Sequence, residues 1–161
     1  MPFHGRCTSA LPSGEYVIYT MHQFTLPKTE RLYLRESISE LFANGASFTA
    51  FPYRVVYLIK EEAMAEAPSS PQNELRQGRC AIMAIAPKKR FKHAVDRNRV
   101  KRLTREAYRL QKLPLLSTLE ARHKQLMVAF LYVDNKHISF DETYAILGKA
   151  ITRLVKIIEK S

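Results

Sequence analysis

The sequence predicts an α+β two-layer sandwich, a sheet of about four strands packed with three helices. Three observations carry that reading. Apolar residues recur at helical spacing in three segments. Between these segments lie short runs rich in β-branched, aromatic or aliphatic residues. The order along the chain is helix, strands, helix, strand, helix. The 161 residues suffice for one buried core, and 46% hydrophobic content argues against wholesale disorder. There are no internal repeats and no low-complexity tract.

Residues 1–25 hold Pro2, Gly5, Pro12 and Gly14 without a sustained period, and read as a flexible N-terminal extension. Met21 precedes the patterned sequence, so translation from Met21 is one hypothesis; the intact mass of the native protein tests it. The domain proper is expected over residues 26–161. A first helix is expected over residues 28–44. Its buried face is Leu34, Ile38, Leu41 and Phe42, and Gly45 is a C-cap in the left-handed conformation. Residues 47–60 read as strand broken near Pro52, which donates no ladder hydrogen bond. Residues 61–78, acidic and then rich in Pro and Ser, read as a mobile loop.

Residues 79–87 form a second strand, whose continuous apolar character suggests a central position. A basic helix follows over residues 94–112, with Pro114 helping to end it. Residues 125–133 are a third apolar strand. The last helix opens on Ser139 and Glu142, spaced as a capping box. Phe140, Tyr144, Leu147, Ile151, Leu154 and Ile158 then make its apolar stripe.

Charge points to function. The 26 Lys and Arg against 15 Asp and Glu give +11, with a pI near 9.8. Residues 88–112 alone carry 11 basic groups against Asp96 and Glu106, so 9 of the 11 excess charges lie in 25 residues. Such a field attracts a polyanion, most commonly nucleic acid. An anionic membrane surface competes, and a merely solvated helix face would mix its signs. Two cysteines 73 positions apart, Cys7 and Cys80, make neither a disulfide framework nor a zinc pattern. No apolar run spans a bilayer, and residues 16–26 make a poor signal core. The expected location is cytoplasmic.

On a helical wheel with Val100 at zero, Val100, Leu103, Ala107 and Leu110 fall within about 280–360°. Lys101, Lys112, Arg105, Asn98, Arg109 and Arg102 fall within about 100–200°, with Arg97 and Arg99 on the flanks. The helix is therefore expected to pack on a sheet and present arginine forks, which bind phosphate oxygens bidentately, to solvent. Asn98 offers both a donor and an acceptor on that face. A membrane helix needs its apolar face free for lipid; here the core claims it, which favours nucleic acid. Lys88, Lys89, Arg90 and Lys92 extend the patch upstream. Phe91 is either a base-stacking ring or, more simply, a packed one.

The run from Lys89 to Tyr108, with its central Arg97-Asn98-Arg99 followed by Val100, Lys101-Arg102, Leu103 and Arg105, resembles the signature of the bacterial ribonuclease P protein component. Leu41-Phe42-Ala43-Asn44-Gly45 resembles the end of that family's first helix, and the similarity extends over about residues 26–160. The resemblance implies the protein subunit of a ribonucleoprotein endoribonuclease that removes the 5′ leader from precursor tRNA. Its partners are the catalytic RNA subunit and precursor tRNA, with no membrane and no small-molecule substrate. The RNA is expected to supply the active site and bind most of the Mg²⁺; the protein contributes no catalytic residue and no metal ligand. The family fold carries an unusual left-handed βαβ crossover, against the general right-handed rule.

By position, the resemblance assigns RNA-subunit binding to Lys89, Arg90, Arg97, Asn98, Arg99, Lys101, Arg102 and Arg105. It assigns a leader-binding cleft, between the sheet and the first helix, to Phe42. Phe48, Phe51, Tyr53 and Tyr57 are candidates, of which about half should point into the core by strand alternation. Lys92-His93 stands where many members have Gly-Asn, and Ile38 where an aromatic is often found.

Three alternatives have other signatures. A protein-only nuclease needs clustered carboxylates or a histidine pair. His4, His22, His93, His123 and His137 are scattered, and Asp134, Asp141 and Glu142 read as turn and cap residues. A DNA-binding helix-turn-helix needs a second helix that the pattern lacks. A non-enzymatic RNA-binding protein of ribosomal type has the same electrostatics and is the closest rival.

Overall fold

The computed structural model of the protein describes residues 25–61 and 79–161. The expectations for the N-terminal extension, for Met21 and for residues 62–78 lie outside the described residues. One hairpin starts the sheet. Strands β1 (Ala46–Ala50) and β2 (Tyr53–Glu61) pair antiparallel around Phe51 and Pro52, so the break expected at Pro52 is a chain reversal. β2 pairs antiparallel with β4 (Lys124–Tyr132), and β4 pairs parallel with β3 (Cys80–Ile85). The order is β1-β2-β4-β3.

β3 is thus an outer strand, not the central one its apolar run suggested. The run is continuous because both of its faces are covered: Cys80 and Ile82 join one apolar cluster and Ala81 the other. Its outer edge is also partly occupied. Leu32 N donates to the Ile82 carbonyl at 2.8 Å, and Arg31 bridges Ile82 in parallel. That rung holds residues 31 and 32 extended and shortens the first helix. Residues 28–30 form a separate 3-10 turn, and helix α1 spans Arg35–Asn44 rather than starting at residue 28.

Gly45 ends α1 at φ −74°, extended rather than left-handed as expected. Closeness is what demands glycine there, because a Cβ would run into the Leu41 carbonyl oxygen. Phe42, expected on the buried face, is exposed, and Leu41 is the buried residue of this helix.

Helix α2 (Ala94–Gln111) crosses from β3 toward β4. A helix the periodicity missed, α3 (Leu113–Ala121), completes the crossover, giving four α-helices among the described residues where three were expected. Pro114 ends α2 but also sits in the first turn of α3, where a missing N–H costs nothing. Leu115 and Leu119, one turn apart, bury the face of α3. The chain turns into β4 through His123, at φ 50°.

Helix α4 (Phe140–Lys160) begins with the expected capping box: Glu142 N donates to Ser139 Oγ at 3.2 Å, and Ser139 N to Glu142 Oε2 at 2.8 Å. Leu147, Ile151, Leu154 and Ile158 are buried, whereas Tyr144 is exposed.

Strand alternation divides the core in two. Tyr53, Val55, Leu126, Val128, Phe130 and Tyr132 face α2, α3 and α4 in the larger cluster. Val56, Met127 and Ala129 face the other way, toward Leu32 and Leu41, with Ile38 packed beside them. The larger cluster admits polar atoms where they pair: Tyr53 Oη and Thr104 Oγ1 lie 2.9 Å apart, and Thr104 Oγ1 donates to the Val100 carbonyl.

Candidate nucleic-acid interface

The buried side of α2 is Val100, Thr104, Ala107 and Tyr108. This face is rotated by about 60° from the expected one: Leu103 is only half-buried and Leu110 is exposed. The sheet offers Tyr53 as a partner for Thr104, so a polar residue takes an inner position that hydropathy alone gave to leucine. The outward side still carries Asn98, Arg99, Arg102 and Arg105, all exposed, while Lys101 is half-buried. Lys88, Lys89, Arg90 and Lys92 are exposed in the loop before the helix.

That loop is held by side chains the sequence reading placed elsewhere. Phe91 is buried against the rings of Tyr132 (5.6 Å between centroids) and His137 (4.9 Å), so it is an anchor and not a base-stacking ring. Arg97, half-buried, donates through Nη1 to the Phe91 carbonyl at 2.9 Å and the Lys92 carbonyl at 2.7 Å. It ties the basic loop to the first turns of α2. The segment after β4 buttresses the same loop: Arg90 Nη1 donates to Asn135 Oδ1 at 3.3 Å, and His137 Nε2 lies 3.4 Å from Asp96 Oδ1. Sequence reasoning missed Asn135 and His137, because nothing local links them to residues 90–97.

The other end of α2 behaves differently. Arg109 forks onto Glu106 at 2.9 and 2.5 Å, and this guanidinium holds the Glu106 carboxyl below the usual range. Lys112, expected on the outward face, is 2% exposed. Its Nζ contacts Glu30 Oε2 at 2.7 Å, Glu30 Oε1 at 2.9 Å and the Thr25 carbonyl at 2.5 Å. Two of the cations counted in the basic run therefore already have carboxylate partners, Arg109 at the surface and Lys112 inside the protein.

The expected cleft aromatics separate. Phe42 projects from α1 and is 48% exposed; Phe51 at the hairpin turn is 68% exposed. Phe48 sits opposite Val55 in the hairpin and shares its face with Tyr53 and Tyr57, the face that α4 covers. Tyr53 is 1% exposed with its hydroxyl on Thr104. Phe48 is buried beneath the Arg153 guanidinium, 4.5 Å from the ring centroid. These three are corrections: Phe48, Tyr53 and Tyr57 lie on the side of the sheet away from α1. The α1 side instead presents half-buried Met83, Ile85 and Leu58. Their parity with Val56 along β2, and with Ala81 along β3, was the signal that could have found them.

Nucleophile chemistry finds little support in the described residues. Burial pushes the Cys80 thiol up to about 12, so it stays protonated near neutral pH. Among the described residues, no three His, Cys, Asp or Glu side chains gather to hold a metal ion. No helix of the described residues is long and apolar enough to cross a membrane.

Comparison with known proteins agrees with this geometry. Residues 26–155 match the family model described as Ribonuclease P. A Porphyromonas gingivalis protein named ribonuclease P protein component is 38% identical over 131 residues, covering 81% of this chain and 87% of that protein. Proteins of the same name from Chlorobium phaeobacteroides (29% over 150 residues, 90% and 95% covered) and Chlorobaculum tepidum (34% over 112, 66% of each) are also similar. With a family model spanning most of the chain and its cationic helix displayed on a covered sheet, the chain belongs to the ribonuclease P protein family.

Proposed function

We propose that this protein component of the tRNA-processing endoribonuclease ribonuclease P binds the catalytic RNA subunit through the outward face of α2 and the loop before it. Asn98, Arg99, Arg102 and Arg105, with Lys89, Arg90 and Lys101, meet the RNA backbone. Arg97 joins them mainly by fixing the loop. The observation that carries this is the exposed arginine row on a helix whose opposite side is locked into the core. An immobile scaffold lowers the entropy lost when each fork meets a phosphate.

The 5′ leader of precursor tRNA lies on the α1 side of the sheet, where Phe42 is the exposed ring. Stacking tolerates any base, which suits a surface that accepts many leaders. Mg²⁺ is bound mainly by the RNA and supplies the hydrolytic chemistry there. This chain's part is to offset backbone charge so that RNA and substrate come together. The protein works in the cytoplasm.

The test is cleavage of labelled precursor tRNA at low Mg²⁺, with cognate RNA subunit and protein apart and then together. Cleavage at the mature 5′ end only with both is the expected result. Cleavage by protein alone that is lost on mutating its carboxylates would overturn it. Failure of the mixture with an RNA that is active alone at high Mg²⁺ would return the ribosomal-type reading.

A further inference from the structure

A second cationic surface lies on α4, away from the arginine row. Lys149, Arg153, Lys156 and Lys160 recur at i, i+4, i+7 and i+11, which puts all four on one side of the helix over about 16 Å. All four are exposed, and among the described residues none is paired with a carboxylate. Counting hid them: residues 113–161 carry a net charge of only +2, because Glu120, Asp134, Asp141, Glu142 and Glu159 offset most of their seven cations, Glu159 at the far end of the groove described next.

Beside the stripe, two adjoining cavities of about 590 and 610 Å³ run between α4 and the junction of α2 with α3. Gly148 opens this groove. A Cβ at position 148 would stand 2.5 Å from Gln111 Oε1, and Gln111 Nε2 is itself fixed on the Tyr144 carbonyl at 2.9 Å. The exposed Tyr144 ring stands at the wall, and the half-exposed Leu110 and Leu113 line the floor.

We infer that this groove is a second RNA site, which takes an unpaired strand with its phosphates along Lys149, Arg153 and Lys156 and a base against Tyr144. The inference rests on RNA being the partner, whichever RNA that is. Charge complementarity selects the occupant. Three cations on one rim beside one exposed aromatic ring is the arrangement that binds single strands. The apolar residues Leu110, Leu113, Pro114, Ile151 and Val155 belong to one of the two cavities, and Lys149 and Arg153 line the other, where the phosphates would run. Leu110 and Gln111 belong to the last turn of α2, the helix that also carries the arginine row.

The test uses the full chain and a labelled oligouridine strand, titrated across a range of salt. Lys149→Ala with Arg153→Ala and Lys156→Ala should lower the log–log salt slope by about 2, at roughly 0.7 per lost phosphate contact. A control with the same charge change outside the groove, Lys28→Ala with Lys124→Ala and Lys136→Ala, should leave most of the slope. Tyr144→Ser should weaken oligouridine roughly tenfold with little change in slope. Equal losses in the groove variant and the control would reduce the effect to net charge and overturn the site. Unchanged binding in the groove variant would overturn it too, and would leave a protein partner for the groove. Loss of oligouridine binding in the groove variant, in a chain that supports no precursor cleavage, would keep the site and sink the ribonuclease P assignment alone.

Discussion

The two ends of α2 carry the same residue types and use them in opposite ways. Toward its start, Arg99, Arg102 and Arg105 face solvent. Toward its end, Arg109 is forked onto Glu106, and Lys112 is sealed beneath Glu30 and the Thr25 carbonyl. A cation gives its full charge to a polyanion only if the fold has not already given it a carboxylate. The N-terminal part of α2 carries its arginines beside a loop of further cations, and its one carboxylate, Asp96, lies beside His137. The C-terminal end turns into α3 directly under the segment that crosses the edge of β3, and that segment brings Glu30. The aromatics divide the same way: Phe42 stands free on α1, while Phe48 and Tyr53 are held in the helical core.

The strongest way to break this comparison is Lys112→Met. It leaves the Glu30 carboxylate largely buried without its cation, and should cost about 3–5 kcal/mol by denaturant unfolding. Adding Glu30→Leu should recover most of that loss, because a well-packed apolar pair often replaces a buried ion pair without penalty. RNA affinity per folded molecule should hold its salt slope in both. A change of slope would put Lys112 in the interface after all.

Next in size is the aromatic pair. Phe48→Ala should lower stability by about 3 kcal/mol with little effect on the leader. Phe42→Ala should lower stability by less than about 1 kcal/mol and weaken leader affinity by roughly 1–3 kcal/mol. Melting curves alongside affinities for precursor tRNA with and without a leader separate the two; matching profiles would erase the distinction between the faces.

Arg99→Ala with Arg102→Ala and Arg105→Ala sharpens the other side. Stability should change by less than about 0.5 kcal/mol, as for exposed substitutions. The salt slope for the RNA subunit should fall by about 2. An unchanged slope would remove these arginines from the interface.

The smallest effect belongs to Arg109→Ala. The pair is exposed and screened, so about 0.3 kcal/mol is expected at neutral pH. Because Arg109 lowers the Glu106 carboxyl, that contribution is present above the ordinary carboxylate range and fades as pH falls through the lowered value. Unfolding of both proteins should therefore converge in acid; a gap that widens there would contradict the assignment.

Much of this was legible in one dimension. The capping box at Ser139 and Glu142, the break at Pro52 and, Tyr144 apart, the apolar stripe of α4 depend on residues a few positions apart, and they formed as read. So did the exposed arginine row, since a helix that buries one side must show the other. The misreadings share a cause. Pro114 stops one helix and starts another with the same ring, and hydropathy could not tell which use dominates. Arg97, assigned to RNA by position, has a second duty that position could not show: its Nη1 donates to two carbonyls of the preceding loop.

By itself the sequence determined the periods, the caps, the density of positive charge and the family to which the chain belongs. Tertiary structure alone decided that β3 lies at the edge, that Phe48 and Tyr53 turn from α1, and that Glu30 meets Lys112. It also aligned the α4 cations beside a groove made by another helix. The physical reason is range. Helical and strand periodicity arise from backbone geometry over a few residues, whereas burial and charge pairing depend on which distant surface arrives, here a carboxylate 82 positions away from its lysine.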